Sequence, residues 1–366
     1  MRRAVFASLI LSFLLLIGPL SIFAQTTKAP KEIRYESVIR DILDERDTTV
    51  NGKKQLYQKL EVQITKGREK GKRLKVENGD VAQANARSYK IGDRVFVSIS
   101  KNAGGHDFIF ISDYVRTGPI YLLFAIFAGL AILIGRRQGA ASLLGLIISF
   151  VIIFGFLLPQ ILAGQDPVTA AIIASLFIVP LTFYLSHGIN KKTTAAVIGT
   201  IIALIATGVL ANIFVEALRL TGTNSDEATF LTSITKGAIN FRGLLLAGII
   251  IGGLGIFDDI TISQASIVAE LKKVGNLNFW QLYTKGMNVG RDHIASMVNT
   301  LMLVYAGAAM PLLLLFVKSP QPFTQVINYE ILAEEIARTL IASIGLILAV
   351  PITTLLACFL YSQKDK

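Results

Sequence analysis

Gly248-Ile-Ile-Ile-Gly-Gly-Leu-Gly-Ile-Phe-Asp-Asp-Ile-Thr-Ile-Ser-Gln-Ala-Ser-Ile-Val-Ala-Glu270 is the stretch that decides how this chain is read. Gly248, Gly252, Gly255, Asp259, Ser263, Ser266 and Glu270 are spaced by four or three residues, so a helix gathers them into one stripe. The glycine half of that stripe is expected to pack closely against another helix. The other half is polar, with Gln264 nearby, and Asp258 falls on an adjoining stripe with Thr261. The apolar run before the acids, Leu244–Phe257, spans about 21 Å at helical rise. That length places Asp258 and Asp259 in the inner third of a bilayer, where ionised carboxylates are costly and normally face a cavity or a partner.

Working outward, similar apolar blocks recur. Hydrophobic residues make up 52% of the 366 positions and charged residues 17%, against about a quarter charged in a soluble chain. Mean hydropathy is +0.58. Seven spans are expected near residues 118–135, 140–162, 167–187, 193–216, 241–262, 294–317 and 336–361. With the preceding segment outside, the inner loops and ends hold Arg136, Arg137, Lys191, Lys192, Lys272, Lys273, Lys285, Arg291, Lys364 and Lys366. The outer regions hold Arg219, Lys236, Arg242, Lys318 and Arg338. This bias predicts a plasma-membrane protein with a cytoplasmic C-terminus. The lone Cys358 excludes an internal disulfide.

Three regions follow. Residues 1–24 begin with Arg2 and Arg3, continue as an apolar run and end on Ala24, which describes a signal peptide or an anchor helix. Residues 25–116 alternate with period two and are expected to be exported. Their candidate strands are Arg34–Asp41, Leu56–Thr65, Arg73–Glu77, Arg94–Ser100 and Asp107–Tyr114, separated by turn pairs such as Asn51-Gly52 and Gly92-Asp93. Five short strands predict a small barrel of the OB or SH3-like kind. Residues 117–366 form the helical bundle. The net charge is 36 − 25 = +11. Nucleic acid is excluded as a partner because the basic β domain is exported. Its cluster Lys66, Arg68, Lys70, Lys72, Arg73 and Lys75 instead suggests an anionic envelope ligand or a solvated hairpin.

A weak repeat links Arg137–Ile148, Lys191–Ile202 and Arg291–Met302, each a basic residue followed by small and then apolar residues. Each copy is expected where a helix enters from the inside. In the third copy Asp292 and His293 follow the arginine. Asp292, Ser296 and Asn299 share a helix face, and Arg291 is expected to neutralise one of the nearby carboxylates. Asp258, Asp259 and Asp292 are hard metal ligands, but the spacing of His293 is no metal motif, so no metal or cofactor is assigned.

The segments Gly255–Ser266 and Gly290–Leu301 resemble the two signature segments of the YibE/F-like bacterial multi-pass membrane proteins. Lys66–Lys72 and Tyr89–Val95 fit the same family's exported domain. The resemblance implies a plasma-membrane protein thought of as a permease. The sequence therefore points to a transporter, not an enzyme, embedded in lipid and open to homo-oligomerisation. Its ion or substrate path would use Asp258, Asp259, Thr261, Ser263, Gln264, Ser266, Arg291, Asp292, Ser296 and Asn299, with Gly248, Gly252 and Gly255 packing helices. The alternative is an envelope scaffold or sensor working through its β domain.

Overall fold

The computed structural model describes residues 33–80, 87–101, 107–235, 237–318 and 320–362. The segment read as signal or anchor lies outside the described residues. Those described fall into two compact units, one ending at Gly129 and the other beginning at Leu130.

The first unit is a five-stranded antiparallel sheet: β1 (Ile33–Val50), β2 (Lys53–Ile64), β3 (Arg73–Asn78), β4 (Arg94–Lys101) and β5 (Asp107–Tyr114). Their spatial order is β3-β2-β1-β4-β5. The first hairpin is longer than expected because Asn51 (φ 51°) and Gly52 (φ 79°) both take the left-handed conformation. A two-residue turn of that kind matches strand twist and lets pairing run to Val50–Lys53. Ile39, Leu60, Val62, Val76, Tyr89, Val95 and Val97 form the core. The edge strands β3 and β5 come within 8 Å by Cα without ladder pairing, so the sheet curls toward closure. The basic hairpin is partly neutralised by its own domain. Lys66 pairs with Glu36 at 2.8 Å, Lys72 with Glu69 at 2.7 Å and Arg73 with Glu61 at 3.2 Å.

The remaining chain is helical: α1 (Thr117–Ile152), a π-turn at Ile153–Leu157, α2 (Leu158–Leu162), α3 (Pro167–His187), α4 (Lys191–Ala217), α5 (Asp226–Thr235), α6 (Phe241–Val274), α7 (Phe279–Ala308), α8 (Met310–Val317), α9 (Phe323–Val326) and α10 (Glu330–Ser362). Among the described residues five helices are long and apolar enough to cross a membrane, or six if α7 and α8, bent by 72°, count as one. Seven spans were expected. The difference lies at the start, where 118–135 and 140–162 run together as one helical stretch. That stretch breaks at Arg136, whose backbone (φ 49°, ψ −127°) is not helical. A Cβ on Gly139 would lie 1.9 Å from the Ala131 carbonyl oxygen. In a straight helix residues eight apart are separated by about 12 Å, so the chain turns sharply there.

The repeat is only partly structural. Lys191 opens α4 and Arg137 follows the Arg136 break, but Arg291 lies in the middle of α7. The capping box of Asn278 and Gln281 starts α7 at Phe279, well before the expected 294.

Candidate functional site

α6 is the central helix and packs against α3, α4, α7 and α10. Asn240 caps it, its Oδ1 accepting from the Gly243 N–H at 3.0 Å. Phe257 is fully buried and fits where α10 presents Gly345. A Cβ at Gly345 would lie 2.6 Å from Phe257 Cζ and 2.2 Å from Thr207 Oγ1 of α4. Three helices therefore cross at one level, about 24 Å from the start of α6 and about 22 Å from the start of α10. Asp258 and Asp259 follow Phe257 directly, so they sit midway along the bundle rather than near one end. α6 runs on to Val274, past the expected end at 262.

Beyond the acids, buried polar side chains stitch the helices together. The Thr261 hydroxyl donates to the Phe257 carbonyl at 2.7 Å and accepts from Thr200 of α4 at 2.8 Å. Gln264 Nε2 donates to the Gly286 carbonyl of α7 and to Thr354 Oγ1 of α10, both at 2.8 Å. Gly286 and Gly290 make room for it: a Cβ at Gly290 would stand 3.0 Å from Gln264 Nε2 and 2.7 Å from Val350 Cγ1. Gln264 Oε1 and Thr353 Oγ1 are buried without a partner among the described residues. Thr261 and Gln264 thus act as interhelical ties, each hydrogen bond strengthened by the apolar surroundings. Ser266 bonds back to the Ile262 carbonyl at 2.7 Å.

The rest of the expected site is turned the other way. Asp258 is half-buried, Asp259 exposed, and Ser263 and Ser266 half-buried. Neither carboxylate makes a hydrogen bond or ion pair to another described residue. On α7, Gly286 and Gly290 face the bundle while Lys285, Asn288, Arg291, Asp292, Ser296 and Asn299 are exposed. Arg291 does not neutralise an α6 carboxylate. It donates to Asn288 Oδ1 at 3.3 Å. The antiparallel register explains this. Gly252 lies beside Tyr305, and Gln264 beside Gly286 and Gly290. Ser296 and Asn299 are therefore level with the two acids, and Arg291 and Asp292 about 7 Å further along, near Ser263. The glycine expectation also changes. Gly248 and Gly255 have no heavy atom within 4 Å of a would-be Cβ, and Gly252 only Tyr305 Oη at 3.8 Å. Within one chain the close packing is done by Gly199, Gly286, Gly290 and Gly345 instead.

Two charged sites were missed. On α10 Arg338 pairs with Glu334 at 2.9 Å and lies 3.7 Å from Glu335. Beside it Tyr305, Glu335 and Thr339 line a cleft of about 210 Å³ between α7, α8 and α10. The spacing of Glu334 and Arg338 by four was the available signal. A second cleft, about 390 Å³, gathers Asp166, Asn212, Glu216 and Arg242 where α3, α4 and α6 end or begin. Arg242 pairs there with Glu216 at 3.4 Å.

Comparison with known families decides the chain's kinship. Residues 123–363 match the model of the YibE/F-like protein family, and residues 38–114 match the YibE/F family N-terminal domain. The chain belongs to the YibE/F-like family. Residues 255–266 and 290–301, the segments that carry the resemblance, fall within the matched stretch of this YibE/F-like protein and lie on the paired helices α6 and α7. No protein of curated function and no solved structure matches the chain significantly.

Proposed function

We propose that this YibE/F-like protein is a plasma-membrane permease whose polar path runs along the outward stripe of α7 beside Asp258 and Asp259. One observation carries the reading. α7 packs its small and apolar side into the bundle and leaves a polar stripe, Asn288 to Asn299, on the side away from it. A bilayer does not tolerate such a stripe against lipid, so it lines water or protein. The 72° break between α7 and α8 adds support, because discontinuous helices are a common device of transporters.

In this reading the sharp turn at Arg136 separates two spans, residues 117–135 and 137–162. With α3, α4, α6, α7–α8 and α10 the count reaches seven. The basic loops then lie in the cytoplasm with the C-terminus, and the β domain lies outside. The strand order with the approach of β3 to β5 fits an OB-type barrel.

Flux of protons, divalent cations and candidate solutes in proteoliposomes tests the reading. Asp259→Asn keeps size and removes charge, so coupled flux should be abolished while insertion is unchanged. Full flux in that variant refutes a titrating role. Flux retained there but lost on removing the β domain would favour the scaffold or sensor reading. The pairing of Lys66, Lys72 and Arg73 with the domain's own acids leaves that alternative less free positive charge to work with.

A further inference from the structure

The outward face of α7 carries a charge pattern that the described residues do not satisfy. Arg291 and Asp292 are adjacent and both exposed. Neighbours i and i+1 on a helix point about 100° apart and do not face each other. Among the described residues Arg291 reaches only Asn288, at 3.3 Å, and Asp292 forms no ion pair. α7 is not a surface helix lying free of the bundle. Its contacts run from Gln264–Gly286 to Gly252–Tyr305, alongside the middle of α6. Charges held there need partners at their own depth.

We propose that the missing partner is a second copy of this chain, docked through α7 about a twofold axis along the membrane normal. Such an axis preserves depth, so Arg291 of one copy meets Asp292 of the partner subunit, and the reverse pair forms with it. An Arg-Asp step is self-complementary under that operation: the two copies satisfy four charges with two ion pairs. Asn288 and Ser296, one turn to either side, lie beside the same contact and supply short polar side chains for hydrogen bonds across it. A partner of unrelated sequence would need to offer both signs at this depth, whereas a second copy does so by symmetry. The inference narrows the reading above and rests on the same stripe: Arg291 and Asp292 pair between copies, and the proposed path is left to Asn299 and the two acids, about 7 Å further along at the seam between the copies.

The test uses the full chain in a Cys358→Ser background, reconstituted into bilayers at low protein-to-lipid ratio, with subunits counted by single-molecule photobleaching. The wild-type face should give dimers. Arg291→Asp and Asp292→Arg should each lower the dimer association constant about tenfold or more, since each leaves desolvated charges unpaired. The double swap Arg291→Asp with Asp292→Arg should restore dimers, because the reciprocal pairs reform with reversed polarity. In an otherwise unswapped chain, Ser296→Cys should form an interchain disulfide on mild oxidation, and Ile205→Cys, exposed on α4, should not. Monomers at every density would overturn the proposal, as would a double swap as weak as the singles. It would also be overturned if Ser296→Cys paired only within its own chain, for example with Leu133→Cys on α1, which would give the face to that helix.

Discussion

Gly345 stands where α4, α6 and α10 leave no space for a methyl group. A Cβ there would overlap Thr207 and Phe257, and overpacking of this kind costs about 1–3 kcal/mol or more. Gly345→Ala should therefore lower the melting temperature of the detergent-solubilised protein by several degrees, while Gly248→Ala, with open space around it, should not. Equal melting temperatures would mean that the three-helix crossing is looser than described. The contrast also marks what single residues disclosed in advance. Spacing correctly grouped Gly248, Gly252, Gly255 and Asp259 on one face of a helix. It could not say whether that face points inward, because in a membrane both sides of a helix border apolar surroundings and burial loses its sequence signature. Gln264 was legible as polar and near the acids. Its role as a tie to Gly286 and Thr354 depends on which helices arrive beside it, and sequence spacing along α6 does not contain that.

At the scale of elements the β domain was the most legible part. Alternation and turn residues are local signals, so all five strands were found, with β1 and β2 only too short. Glu36 offers a test of how its ion pairs hold the sheet. Lys66, hydrogen-bonded to its carboxylate, lowers the Glu36 pKa below its ordinary value of 4.5. Arg94 adds to that, and burial opposes both. A folded-state pKa below the unfolded one contributes stability above about pH 4.5, and that contribution is lost as pH falls through the folded value. Residues 33–116 expressed alone should give a β-rich circular-dichroism spectrum at pH 7 and lose stability on acidification below 4.5. In Glu36→Gln that acid-dependent loss should be smaller. An identical acid profile in the variant would remove Glu36 from the account. Helix ends were harder to read: caps such as Asn278–Gln281 and the break at Ala309 depend on a few residues, and apolar runs blur them.

The whole molecule is tested by sidedness. With Cys358→Ser as background, cysteines at Ser225 and Gln321 should react with an impermeant thiol reagent added to intact cells. Cysteines at Gln138 and Asn190 should react only after permeabilisation. The reverse pattern would invert the orientation of every helix, and labelling at both Gln138 and Ser225 would break the span count. A β domain followed by long apolar helices was legible because alternation and hydropathy are strong signals along the chain, whereas the meeting of α6, α7 and α10 had to be seen in three dimensions. The polar stripe of α7 also bears on how the protein is made. Taken alone, α7 lacks an apolar window long enough to be recognised as a span. As it leaves the ribosome the translocon has little reason to release it into lipid unaided. α6 is already in place by then, offering Gln264 to the α7 backbone, while Val350 and Thr354 arrive only with α10, which follows later in the chain. Docking of α7 is thus coupled to the arrival of α10, and a nascent chain cut short before Thr354 leaves a long polar-faced helix without a berth.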